Sequence, residues 1–169
     1  MPAVVFQSFE DFAKTLPHMG ALAGLDLGTK TIGIAVSDPA RRVASPLETV
    51  MRKKFTPDVT RMLEIVASRK VAGLVLGLPV NMDGTEGPRA QATRAFARNL
   101  APLTDLPIAF WDERMSTAAV ERMLISFDTS RKRRDEVVDK LAAAYILQGA
   151  LDRMGYLARQ SADEGPNEP

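Results

Sequence analysis

The stretch Ala21 to Asp38, ALAGLDLGTKTIGIAVSD, decides the fold. Leu22, Leu25 and Leu27, with the alanines among them, form a short and nearly continuous apolar run. That is the pattern of a strand covered on both faces. Ile32, Ile34 and Val36 alternate with Thr31, Gly33 and Ala35 as a second strand, and Gly28-Thr29-Lys30 joins the two as a tight turn. One acid, Asp26, stands in the middle of the first strand. A lone carboxylate among apolar neighbours costs on the order of several kcal/mol unless it is paired, protonated or bound to a cation. Gly24 and Gly28, two residues to either side, share its face of the strand and predict open space around the carboxylate. A phosphate or an ion would fit there. The alternative is a structural Asp satisfied by backbone amides.

Composition bounds the rest. The 169 residues suit one domain, long enough to bury roughly two-thirds of the unfolded chain's surface. Apolar residues are 46% and charged residues 25%, an ordinary globular mixture. The net charge of +1 does not announce a nucleic-acid binder. With no cysteine, disulfides, thiolate metal sites and cysteine nucleophiles are excluded. The only histidine, His18, lies outside the apolar strands and reads as a surface residue. No apolar run approaches the ~18 residues of a membrane span, and no basic-then-apolar leader opens the chain, so a cytoplasmic protein without a membrane partner is expected.

Outward from the first hairpin, Ser8 caps a short helix that Pro17 ends, so residues 1–20 read as an N-terminal extension packed on the domain. Val43, Ser45, Leu47 and Thr49 alternate as a third strand, which Pro46 demotes to a sheet edge. A basic exit loop, Arg52-Lys53-Lys54, leads to Thr56-Pro57, a cap and first-turn proline. Val59, Met62, Leu63, Val66 and Ala67 then mark an amphipathic helix. Val71 to Leu78 is a buried strand, and Pro79 to Gly87 a loop. Pro88 opens a helix with the apolar stripe Ala92, Ala95, Phe96 and Leu100. Pro107 to Trp111 is a fifth strand, and Ser116 or Thr117 caps the next helix. A loop from Ser126 to Arg134 precedes a last helix over about 135–153. The order β-β-β-α-β-α-β-α-α predicts an α/β fold, a mixed sheet with helices on both faces. The domain spans 21–158, and 159–169, rich in acids and proline, reads as a disordered acidic tail.

Two further acids stand where an active site belongs. Glu113 follows the fifth strand, and in open α/β sheets ligands bind beyond the carboxyl ends of strands. Asp139, in the last helix, shares a face with Ala142 and Ala143, small residues that let a helix approach a sheet closely. Asp26, Glu113 and Asp139 would form an oxygen-only cluster, which selects hard cations, Mg²⁺ or Mn²⁺. Two such ions suit phosphodiester hydrolysis. The loop Asn81 to Gly87 opens into a helix start, where backbone amides favour anions. Arg114 and the run Arg131, Lys132, Arg133 and Arg134 are candidate phosphate contacts.

Four motifs now carry a resemblance: Gly24-Leu25-Asp26-Leu27-Gly28-Thr29-Lys30; Gly77-Leu78-Pro79 with Gly84-Thr85-Glu86; Asp112-Glu113-Arg114-Met115-Ser116-Thr117; and Val138-Asp139-Lys140-Leu141-Ala142-Ala143. In this order they resemble the YqgF (RuvX) family, over about 21–152. The family is described both as Holliday-junction-resolvase-like nucleases and as nucleases that mature the 5′ end of the 16S ribosomal RNA precursor. The resemblance implies a ribonuclease H-like fold with a five-stranded sheet in the order 3-2-1-4-5. It implies Asp26, Glu113 and Asp139 as metal-binding catalytic acids with Mg²⁺ or Mn²⁺. It also implies nucleic acid as partner, for which the residues themselves offer Lys30, Asn81, Thr85 and Arg114 as candidate contacts. The leading expectation is a metal-dependent nuclease acting on ribosomal RNA precursor, with ribosomal particles as a further partner. The alternative substrate is a four-way DNA junction, whose symmetric cleavage requires two active sites and hence a homodimer. Two other classes stay open. Asp-Leu-Gly-Thr-Lys also resembles the first phosphate loop of sugar-kinase and actin-type ATPases, which need a second domain. A non-catalytic ribosome-binding factor is the third.

Overall fold

The computed structural model describes residues 2–115 and 131–163; over 131–139 it describes the helical backbone only. In chain order the elements are β1 (Val5–Phe6), α1 (Phe9–Thr15), β2 (Ala21–Leu27), β3 (Thr31–Ser37), β4 (Ala44–Met51), α2 (Phe55–Ser68), β5 (Val71–Leu78), α3 (Pro88–Leu100), β6 (Ile108–Asp112) and α4 (Arg131–Asp163). Short 3₁₀ turns, Ala101–Leu103 and Glu113–Met115, follow α3 and β6. The helix predicted after Ser116 lies outside the described residues.

The sheet runs β1-β6-β5-β2-β3-β4. Its last five members reproduce the predicted order, with β2 central, paired parallel to β5 and antiparallel to β3. The sheet has six strands rather than five, because Val5 and Phe6 add in parallel to Ile108 and Ala109. Two residues are too few to show a period of two, so this strand leaves no sequence pattern. β4 is an edge, as Pro46 requires, and the ladder slips between Ile34 and Ala35 where Pro46 enters it.

Two cores cover the two sheet faces. On one, Leu25, Ile32, Ile34, Leu74, Leu76 and Ile108 pack with Val59 and Met62 of α2 and Phe96 and Leu100 of α3. On the other, Leu22, Ala35, Val75, Ala109 and Trp111 pack with Phe12 of α1 and with Ala143, Ile146, Leu147 and Ala150 of α4. Ser8 caps α1 as predicted, its hydroxyl accepting from the Asp11 N–H at 3.3 Å.

Three predicted helix details shift. α2 starts at Phe55, with Lys54 rather than Thr56 as its cap residue, and the Phe55 ring stands edge-on to Phe96 at 5.5 Å. The inner face of α3 carries Ala90, Thr93, Phe96, Ala97 and Leu100, whereas Ala92 is exposed. Thr93 meets its buried position by donating its hydroxyl to the Arg89 carbonyl at 3.0 Å, so a polar residue joins the stripe. α4 begins at Arg131, so the basic run is helical rather than a loop, and it continues to Asp163.

The contact that positions the site is the seat of α4 on β2. A Cβ at Gly24 would lie 2.7 Å from the Leu147 Cβ and 2.9 Å from the Ala143 carbonyl oxygen. Gly24 therefore does not leave open space for an ion beside Asp26; the helix backbone fills it. Gly24→Ala is expected to destabilise the fold by about 1–3 kcal/mol through overpacking, several degrees in Tm. Thermal melts check this, and a Tm equal to wild type would refute so close a seat.

Candidate active site

Asp26 lies on β2 one position from its end, paired across to Gly33 of β3, and is 3% exposed. It points to the face that Gly24 presents to α4, since residues two apart in a strand share a face. Its burial comes from the sequence itself: β2 is apolar on both sides of the carboxylate, and both sheet faces are covered.

Glu113 leaves β6 in a 3₁₀ turn and folds back over β5. Gly77 lacks the side chain that would block it: a Cβ there would meet Glu113 Oε1 at 2.7 Å and Ile146 Cδ1 at 2.5 Å. The β2–β5 register pairs Gly24 with Val75 and Leu25 with Leu76, so the next step brings Asp26 abreast of Gly77. Neighbouring strands lie about 4.8 Å apart. Two acids far apart in the chain thus meet on one face of the sheet, at the carboxyl ends of β2 and β6. Sequence reading found both acids. It missed Gly77 as the seat of one of them, although the glycine inside an otherwise apolar strand is the signal of close approach.

Asp139 belongs to α4, four residues before Ala143 and eight before Leu147, the two residues that press on Gly24. Its position is therefore on the helical stripe that meets the sheet. Its side chain, and those of Arg131, Lys132, Arg133 and Arg134, lie outside the described residues. Among the described residues no three acids, histidines or cysteines form a metal-holding group.

The loop after β5 is a closed unit. The Asn81 N–H donates to the Thr85 carbonyl at 2.9 Å, and the Asn81 side-chain amide to the Thr85 hydroxyl at 3.0 Å. Asp83 accepts from the Thr85 hydroxyl at 2.6 Å and from the Thr85 N–H at 3.0 Å. These two bonds, the hydroxyl first, hold the Asp83 carboxyl below the usual carboxylate range. Asn81 and Thr85, predicted as nucleic-acid contacts, thus also shape the loop that presents them. Glu86 pairs with Arg94 of α3, which lowers the carboxyl's pKa and raises that of the guanidinium. Arg94 also donates to Gln7 at 2.8 Å and lies over the Phe110 ring at 4.9 Å. That network joins the loop, α3 and residues next to β1 in one rigid frame.

Arg114 grips Asp112 through two nitrogens, Nε at 3.1 Å and Nη2 at 2.7 Å, and the Arg114 N–H donates to the same carboxylate at 2.9 Å. The side-chain bonds are the main reason the Asp112 carboxyl sits below its ordinary range. The Arg114 Nη1 reaches the Met82 carbonyl at 3.4 Å, so the guanidinium spans from the β6 end to the loop tip, where Met82 is 89% exposed. Lys30 is exposed in the β2–β3 turn, which closes with the Gly28 N–H donating to the Thr31 carbonyl at 2.9 Å.

A family model described as RuvX, Holliday junction resolvase, matches residues 20–153. A relative from Ruegeria sp. (strain TM1040), named "Putative pre-16S rRNA nuclease", is 65% identical over 154 residues, 91% of this chain and 98% of that protein. One of the same name from Paracoccus denitrificans (strain Pd 1222) is 65% identical over 156 residues, 92% of this chain and 99% of that protein. Among solved structures, RuvC of T. thermophilus with a Holliday junction substrate aligns at a TM-score of 0.49 and 15% identity, covering 80% of this chain and 96% of that one. No helix among the described residues is long and apolar enough to cross a membrane.

The Asp112–Arg114 clamp makes a prediction about pH. The folded carboxyl is depressed, so its contribution to stability is fully present above the unfolded value of about 3.9 and is lost as pH falls through the folded value. Asp112→Asn is expected to flatten the acid limb of the stability curve below about pH 5. Its cost at neutral pH should be about 1 kcal/mol or less, as for a pair partly open to solvent. Chemical denaturation across that pH range measures both.

Proposed function

The chain belongs to the RuvX Holliday junction resolvase family, and from that membership we propose that it is a divalent-metal-dependent nuclease of the 16S ribosomal RNA precursor, acting at the 5′ end. The observation that carries the chemistry is the meeting of two carboxylates on one sheet face: buried Asp26, and Glu113 with its Oε1 over Gly77. The first two named relatives span nearly their whole length with this chain at 65% identity, which supports RNA as the substrate.

Asp26, Glu113 and Asp139 would hold Mg²⁺ or Mn²⁺, an all-oxygen donor set of the kind that hard cations take. The metal would supply Lewis acidity at the scissile phosphate and activation of the attacking water. The donor set fits: a carboxylate that a central strand buries and a second one held at a glycine gap on the same face bring carboxylate oxygens to one place, the donors hard cations take.

The protein's own part is preorganisation. β2 is bonded on both sides, so Asp26 moves only with the sheet. Glu113 is confined by the Gly77 backbone and by Ile146. Positions held this firmly cost little reorganisation at the moment of reaction. Lys30, Asn81, Thr85 and Arg114 would orient the phosphodiester strand at the carboxyl ends of the sheet. Arg131, Lys132, Arg133 and Arg134, at the start of α4, would hold its flank. These are positioning contacts, which fix register without reading bases. A four-way DNA junction is the second reading, favoured by the description of the matching family, and it calls for a homodimer.

The test is cleavage of labelled 16S precursor, junction DNA, duplexes and single strands with Mg²⁺ or Mn²⁺. Asp26→Asn, Glu113→Gln and Asp139→Asn are each expected to lower cleavage by at least about a hundredfold while the fold persists. Metal-dependent cleavage at the wild-type rate by all three variants would remove the assignment. A second prediction separates a metal site from a structural Asp26. Mn²⁺ at a hundredfold excess over Kd should stabilise the native state by roughly 2.7 kcal/mol, seen as a higher Tm. Asp26→Asn should raise the metal-free Tm and abolish that response. A metal-blind wild type with a destabilised mutant would mean that Asp26 is structural.

A further inference from the structure

The sheet face opposite the acids carries a feature outside the predicted site. The β2–β3 turn, the β4–α2 connection and the start of α3 come together around Arg52. Its backbone N–H donates to the Lys30 carbonyl at 2.8 Å, and its Nη1 donates to the Gly28 carbonyl at 2.6 Å. Its guanidinium lies 5.7 Å from the centre of the Phe96 ring. Thr29 and Arg52 line two adjoining grooves. One, of about 340 Å³, is completed by Lys53, Lys54 and Phe55. The other, of about 80 Å³, is completed by Leu27, Gly28 and Arg89.

Three independent features give these grooves one sign. Arg52, Lys53, Lys54 and Arg89 are all exposed there, with Lys30 beside them on the turn. Asp58 is the one acid among the described lining residues, and it accepts from the Lys53 N–H at 2.8 Å. The grooves also run between the first turns of α2 and α3, and neither helix has a side chain capping its first amides. Positive helix ends and cations therefore add on a protein whose net charge is only +1. The second groove begins at Leu27, the residue after Asp26, so it adjoins the acids across the end of β2.

We propose that this groove, built on Arg52, Lys53, Lys54 and Arg89, binds the sugar-phosphate backbone of the substrate strand beside the segment presented to the acids. It rests on the nuclease reading for the identity of that strand. Its contacts position the strand and carry no base sequence.

The test is binding rather than cleavage. A labelled single-stranded RNA and a labelled four-way DNA junction are titrated with the full chain, without divalent metal, over a range of salt. The groove variant is Lys53→Gln, Lys54→Gln and Arg89→Gln together, all exposed positions. The control neutralises exposed Lys14, Arg69 and Arg98, which line neither groove, with the same change of net charge. The groove variant is expected to bind RNA at least about tenfold more weakly at about 50 mM salt, with the slope of log K against log salt reduced by about 2. The control should move both far less. Equal effects of the two variants, or no effect of the groove variant, overturn the proposal, as does a loss confined to junction DNA. Groove-dependent RNA binding by a protein that cleaves none of the substrates supports the groove and counts against the nuclease reading instead.

Discussion

The structure depends on how closely α4 can lie on the sheet. At Gly24 the helix backbone comes within 2.9 Å of where a Cβ would be, and at Gly77 the Ile146 side chain comes within 2.5 Å. Gly149 repeats the arrangement from the helix side, its missing Cβ leaving room for the Trp111 indole. Ala143 and Ala150 line the same contact and are fully buried. Small residues on both partners let a helix settle low on a sheet without voids. The same lowering confines Glu113, because its carboxylate shares the Gly77 gap with Ile146. Packing and the geometry of the candidate site are therefore one constraint, and a side chain at Gly77 would disturb both.

Charge is balanced over the chain and segregated in space. The net value of +1 conceals an acidic face, with Asp26 and Glu113, and a cationic groove across the end of the same strand. Between them stand ion pairs that serve the frame. Arg114 on Asp112 and Arg94 on Glu86 tie the loop after β5 to β6 and α3. Such a frame keeps the polar groups of the loop in fixed places at the carboxyl end of the sheet. A whole-chain charge therefore says little about the sign of any one surface.

What the amino-acid sequence determined by itself is most of the elements and the candidate residues they carry. The apolar run with one acid marked β2 and Asp26 together, because a buried carboxylate is anomalous wherever the strand is covered on both faces. Val71 to Leu78 was legible to both ends from its apolar length, and the start of α3 from its proline, Pro88. Glu113 was legible from its place after a strand. Tertiary structure alone decided the rest. β1 exists only because the β6 edge offers it unpaired backbone groups. Phe55 starts α2 early because the ring of Phe96 waits for it. Gly24 reads as open space along the strand and proves to be filled, since the residue that fills it, Leu147, is distant in the chain. Local pattern reports which way a side chain faces; what stands opposite depends on long-range packing, which no local period encodes.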